Sequence, residues 1–269
     1  MRQTAYSSMT TFVDRLDGLR AESCVISWGC PVPFFGDLSS AVVATVGINP
    51  SNREFVDYAG RALEEQERRL PTLRSLGVQR WSDVNASHVR EIIDACTEYF
   101  ERNPYDRWFR TLQRILEPSG LTFYGSRPTS CHIDLVPFAT EDKWGTLALS
   151  DRKDLLRNSG DALGHLLRDS SLNLLVLNGQ SVVDHFEVLT NSNLSRTEMR
   201  QWDLPRKDAF PVKGYAYCGE ICDVGGVSLG RSIRVVGYNH NLQSSFGVTS
   251  GVMSNIGTWL RSSNDSDKD

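Results

Sequence analysis

Four short runs of small, β-branched or aliphatic residues constrain this chain more than any other feature. They are Ala41–Val46, Cys131–Val136, Leu172–Leu177 and Ile233–Gly237. A continuous apolar run of this length, cut off by turn residues, reads as a strand buried on both faces. Helical patterns separate the runs. Apolar spacing predicts helices over residues 4–21, 59–76, 86–102, 105–117, 151–168, 180–189 and 249–261. Strands alternating with helices imply parallel βαβ units and a sheet covered on both sides. Residues 213–236, with two glycine clusters and alternating apolar positions, predict an added antiparallel hairpin. The stretch 57–118 is long for one crossover and is expected to form a helical cap at one end of the sheet. Residues 1–262 then make one domain, and the polar end, 263–269, is expected to fray.

Composition supports a folded α/β chain. Of the 269 residues, 40% are hydrophobic and 23% charged, enough for a substantial core. No apolar run approaches the roughly 18 residues a membrane-spanning helix needs. The first 19 residues lack the apolar stretch of a signal peptide, so a cytoplasmic location is expected. A monomer is expected as well. The formal net charge of −4 argues against bulk binding of polyanions but allows a local basic groove. The six cysteines, Cys24, Cys30, Cys96, Cys131, Cys218 and Cys222, lack the tight spacing of a zinc or cluster knuckle. They are expected to be reduced and to pack as small hydrophobes. No metal and no cofactor is expected.

In an open α/β sheet the ligand site lies beyond the carboxyl ends of the strands. Three loops therefore converge. The first, Gly47-Ile-Asn-Pro50 and onward to Phe55, holds Asn49 between a flexible and a rigid residue. A carboxamide there orients a water without carrying charge, or it simply makes a turn. The spacing is not that of a phosphate loop. The second loop follows Asp134, a carboxylate inside an otherwise apolar strand. Such a group pairs with an arginine or serves a ligand. Pro137 ends that strand and aims Phe138 into the loop. The third, Gly237 to Gly247, gathers Asn239, His240, Asn241, Gln243, Ser244 and Ser245, neutral groups suited to phosphate and base contacts.

With these residues in view, the chain resembles the uracil-DNA glycosylase superfamily over about 40–260. Gly47-Ile-Asn-Pro50 after an apolar strand looks like the first motif of its mismatch-specific and single-strand-selective monofunctional branches. His240 to Ser245 resembles the second motif in its first His and final Ser, without that motif's prolines. Leu177-Asn-Gly-Gln-Ser181 is similar to a strand-end segment of the family. The resemblance implies a three-layer α/β/α sandwich with a central, mostly parallel sheet.

It also implies a monofunctional DNA glycosylase that flips a nucleotide out and hydrolyses its N-glycosidic bond. Asn49 positions the attacking water, and His240, with Asn239 as its fallback, stabilises charge on the leaving base. Phe55 or Phe138 stacks on the flipped base. Leu242, Gln243 or Phe246 fills the gap in the duplex. Ser51, Ser181, Ser244 and Ser245 grip phosphates, with Asn241 as a further DNA contact. Basic residues of Arg196–Lys213 and of the cap either line the groove or form a solvated face. No lysine in these loops is placed as a Schiff-base nucleophile.

Where the family carries a base-reading Asn, this chain carries Asp134. An ionised carboxylate accepts hydrogen bonds only, which suits the exocyclic amine of a cytosine. The substrate expected is therefore a modified cytosine, such as a hypermodified base of phage DNA in antiviral defence. Repair of uracil or mismatches is the alternative. A non-catalytic nucleic-acid-binding relative and a small-molecule nucleoside hydrolase are the readings from other classes.

Overall fold

A computed structural model describes residues 2–19, 24–102, 104–207, 210–243 and 245–265. Seven strands form one sheet: β1 (Phe34–Phe35), β2 (Val43–Gly47), β3 (Ser130–Asp134), β4 (Leu174–Asn178), β5 (Ser195–Glu198), β6 (Tyr215–Val224) and β7 (Val227–Tyr238). Their spatial order is β1-β3-β2-β4-β7-β6-β5. The four central strands β3, β2, β4 and β7 are parallel, and these contain the four apolar runs of the sequence. The predicted hairpin is β6 and β7, which lie antiparallel around Gly225 and Gly226. β1 and β5 extend the two edges antiparallel.

The helices are α1 (Arg2–Gly18), α2 (Ala86–Thr97), α3 (Tyr99–Arg102), α4 (Asp106–Leu116), α5 (Leu149–Arg157), α6 (Gly160–Arg168), α7 (Gln180–Thr190) and α8 (Ser250–Asp265). They cover both faces of the sheet. Along β4, Leu175 and Leu177 enter the larger apolar core, which includes residues of α1, α2, α6 and α7. Leu174 and Val176 enter the smaller one, with Leu112 of α4 and Ile256 and Leu260 of α8. This alternation of one strand into two cores is what burial on both faces means, and it gives helices on either side of the sheet.

Three expectations need correction. Residues 59–76 are not a helix; they hold one short 3-10 turn, Glu65–Glu67, and join two isolated bridges, Val56 with Ala62 and Gly29 with Thr72. The helix-forming residues 64–68 are all exposed, so a helix there has no apolar stripe to bury. The cap is helical only from α2 to α4. The helix expected over 151–168 breaks between Asn158 and Ser159 into α5 and α6, the Ser159 hydroxyl donating to the Leu155 carbonyl at the end of α5. The polar end is helical through Asp265 rather than frayed from 263, and residues 266–269 lie outside the described residues.

All six cysteines are free thiols. Cys30, Cys96 and Cys131 are buried, and burial pushes their thiols up. No group of described residues gathers three potential metal ligands. No helix among the described residues is long and apolar enough to cross a membrane.

Candidate functional site

A cavity of about 300 Å³ opens where the parallel strands end. Its wall is built from the loop after β2 (Gly47 to Asn52), the segment beyond β3 (Thr140 and Asp142 to Trp144), the β4–α7 junction (Asn178 to Val182), Trp108 of α4, and Asn241 beyond β7. The rule that sites lie at carboxyl strand ends therefore locates it. Gly179 makes the β4–α7 turn with φ of 102°, in the left-handed region open to glycine. A Cβ there would come within 3.2 Å of Asn241.

Asn49 stands on this wall with its amide orientation fixed. The Thr140 hydroxyl donates to the Asp142 carbonyl, so its oxygen is an acceptor toward Asn49 Nδ2 at 3.1 Å. Nδ2 also donates to the carbonyls of Phe138, at 3.3 Å, and Pro50, at 3.2 Å. With nitrogen held by three acceptors, Oδ1 is left without a protein partner among the described residues.

A similar logic fixes Asn178, at the end of β4. Gln243 Nε2 donates to the Trp108 carbonyl, and its Oε1 accepts from Asn178 Nδ2 at 2.9 Å. Asn178 is 2% exposed, and its Oδ1 has no partner among the described residues. Five carboxamides in all reach the wall: Asn49, Asn52, Asn178, Gln180 and Asn241.

The structure brings together only part of the residues singled out from sequence. Asn49, Ser51, Ser181 and Asn241 line the cavity. His240 does not; its ring is buried, and Nε2 bonds the Trp202 carbonyl at 2.8 Å. Burial lowers its pKa, so the imidazole is neutral and braces the Trp202 turn. Asn239 is also spent internally, accepting from the Tyr215 N–H and donating to the Lys213 carbonyl, both at 2.8 Å.

Phe55 and Phe138 are core residues, each 1% exposed, edge-on to Trp28 and Phe12 respectively. Among the three candidates for filling a duplex gap, Leu242 is buried and Gln243 is committed to Asn178 and Trp108. Phe246 is 77% exposed beneath the Arg206 guanidinium. The Ser245 N–H donates to the Asn241 carbonyl. Ser244 lies outside the described residues.

Asp134, read from sequence as a base-reading group or an arginine's partner, lies behind the wall rather than on it, and its neighbour is a histidine. Its Oδ1 is 3.3 Å from His132 Nε2, and His132 Nδ1 is 2.7 Å from the Thr45 hydroxyl. Register produces this chain, because Gly47 pairs with Asp134 and Thr45 with His132. Burial raises the Asp134 carboxyl and His132 opposes it. Gly47 lies directly against the pair: a Cβ there would be 2.4 Å from Asp134 Oδ1. Near it, Glu54 is buried and accepts from the Tyr99 hydroxyl at 2.6 Å. Loss of solvent pushes the Glu54 carboxyl up to about 7, with Tyr99 and Arg69 pulling the other way.

Sequence reasoning missed the aromatic and charged parts of the wall. The aromatic surfaces are Trp108, edge-on to His132, and Trp144, whose Nε1 donates to His185. Lys143 also lines the cavity, from a segment past the three loops in which no lysine is placed as a Schiff-base nucleophile. Asn178 was legible, since it ends a buried strand as Asn49 nearly does. Trp108 gave no local signal, because its place on the wall depends on how α4 packs.

Compared with protein-family models and with curated proteins, the chain matches none of them.

Proposed function

We propose that this protein is a DNA glycosylase that removes a modified cytosine from a flipped nucleotide and leaves an abasic site. The observation that carries the reading is Asn49 at the β2 end, with Nδ2 held by three acceptors and Oδ1 open to a water. Cleavage of an N-glycosidic bond generates a sugar cation and an anionic base. A water held by Asn49 Oδ1 then adds to the sugar C1′, and its proton goes to the departing base anion, which leaves neutral. With His240 turned to the Trp202 carbonyl, the charge on the base falls to the amino terminus of α7, where the helix dipole favours an anion. Trp108 and Trp144 supply the stacking surfaces assigned from sequence to Phe55 and Phe138.

The choice of an amino-bearing base is supported by the second oriented carboxamide. Asn178 commits its nitrogen to Gln243 and keeps its oxygen as acceptor. An exocyclic amine is a donor and matches it; a uracil O4 is an acceptor and does not. A role in antiviral defence against hypermodified phage DNA follows from such a substrate.

The test is incubation with duplex and single-stranded DNAs carrying uracil, mismatches or 5-modified cytosines, followed by alkali and strand analysis. Alkali-labile sites only at modified cytosines are expected. Release of uracil alone overturns the base assignment, and no release from any substrate overturns the activity. Borohydride trapping decides whether Lys143 forms an imine. A monofunctional enzyme gives no trapped complex.

A further inference from the structure

A second cavity, of about 480 Å³, adjoins the first across a single residue boundary. Asn52 lines the first and Arg53 the second, both in the 3-10 turn Asn52–Glu54. Arginine and tyrosine dominate its wall. The Arg53 guanidinium sits over the Tyr58 ring, 4.8 Å from its centre, and Arg69 over Tyr105 at 5.5 Å. Arg61 completes the lining, and Arg107 hydrogen-bonds Tyr58 from the side. Four guanidinium groups thus face two carboxylates, Asp57 and Glu67, and Asp57 is already paired with Arg61. On a chain of net charge −4, this is a local excess of positive charge.

Internal needs do not account for the arrangement. Arg53 donates to the Asp57 carbonyl, a neutral acceptor, and Arg69 to the Arg53 carbonyl, its charge felt by the buried Glu54 behind the cavity. The Arg69 Nε–H is buried with no acceptor among the described residues. Tyr58 is 75% exposed, far more than a ring held for packing. An exposed aromatic face beside guanidinium groups is the chemistry that tracks a single nucleic-acid strand: rings stack on bases and arginines hold phosphates.

We propose that this cavity holds the nucleotide next to the flipped one, its base on Tyr58 and its phosphate between Arg53 and Arg69. The proposal takes DNA as the partner from the reading above and adds a strand path, running from the Asn49 cavity over the 3-10 turn to the Tyr58–Tyr105 face.

The experiment is fluorescence anisotropy with a labelled 12-residue oligothymidylate, measured over a range of sodium chloride concentrations. This strand carries no amino base, so its binding does not depend on excision. Each arginine that neutralises a phosphate contributes about 0.7 to the slope of log affinity against log salt for single strands. Arg53→Ala is expected to reduce the slope by about 0.7, the Arg53→Ala/Arg69→Ala double variant by about 1.4, and Arg53→Lys hardly at all. Tyr58→Ala is expected to weaken binding about tenfold without changing the slope. Because Tyr58 is exposed, that variant keeps its fold. Unchanged affinity of Tyr58→Ala, or an unchanged slope in arginine variants that melt like wild type, overturns the proposal. Base excision accompanied by such results leaves the glycosylase reading standing. Tyr58- and Arg53-dependent binding without excision from any DNA removes the glycosylase reading and keeps the strand site.

Discussion

Replacing Glu54 by glutamine changes the charge of the buried cluster behind the Asn49 loop while keeping its shape. Glu54 is 3% exposed and accepts from the Tyr99 hydroxyl, which itself accepts from the Tyr105 N–H. Burial pushes the carboxyl from its ordinary 4.5 up to about 7. The folded state therefore holds this proton more tightly than the unfolded chain. The group's contribution to stability is complete below pH 4.5 and is lost as pH rises to about 7. At about 1.4 kcal/mol per pH unit, the interval amounts to about 3 kcal/mol of stability lost above pH 7.

Glutamine offers Tyr99 the same acceptor and carries no charge at any pH. Glu54→Gln is therefore expected to match wild type to within about 1 kcal/mol at pH 5 and to exceed it by about 3 kcal/mol at pH 8.5. For a chain of this size, 1 kcal/mol moves the midpoint by about 2–4 °C, so the variant melts roughly 6–12 °C higher at pH 8.5. Thermal melts of both proteins at the two pH values read this directly. The difference between them cancels the titrating groups not coupled to Glu54, including His185 and His240. A gap that stays constant from pH 5 to 8.5 refutes the reasoning.

Asn49→Ala is expected to lower single-turnover base release at least about a hundredfold while the chain still folds, at a cost of about 1–3 kcal/mol for the acceptors that lose Nδ2; a near-normal rate removes Asn49 from the reaction. Gly47→Ala places a methyl 2.4 Å from Asp134 Oδ1 and 2.8 Å from His132 Nε2, and is expected to cost about 1–3 kcal/mol in urea unfolding. A variant as stable as wild type shows that the pair behind Gly47 yields freely. His240→Ala loses the bond to the Trp202 carbonyl and leaves that buried acceptor unpaired, at a cost of about 1–3 kcal/mol. Its rate per folded molecule is expected to fall much less than that of Asn49→Ala; a large rate loss with full stability returns His240 to the reaction.

Local patterning carried the central sheet. Runs of β-branched and aliphatic residues bounded by glycine, proline or asparagine became β2, β3, β4 and β7 because a strand buried on both faces has no polar positions to alternate. The same logic put Asn49 at a strand end on a cavity wall, since any residue just past a parallel strand lies on the carboxyl edge. It failed for 59–76, where Leu63, Leu70 and Leu76 are buried but the helix-forming residues 64–68 all face solvent.

Which side chains of a loop turn outward was decided by tertiary packing. Phe55 and Phe138 read as stacking rings from their place beside the motifs, yet Trp28 and Phe12 draw both into the core. His240 read as a donor to a leaving base, yet the Trp202 carbonyl, 38 residues away, takes its Nε2. Trp108, Asn178 and Thr140 meet Asn49 from three separate segments, and the orientation of each carboxamide follows from an acceptor on another element. The sequence by itself determined the strands, their buried character and the loops at their carboxyl ends, because those depend on periodicities of a few residues. Only the tertiary structure decided the strand order, the indole walls and which amide oxygens stay open, because a hydrogen bond between segments tens of residues apart leaves no trace in local spacing.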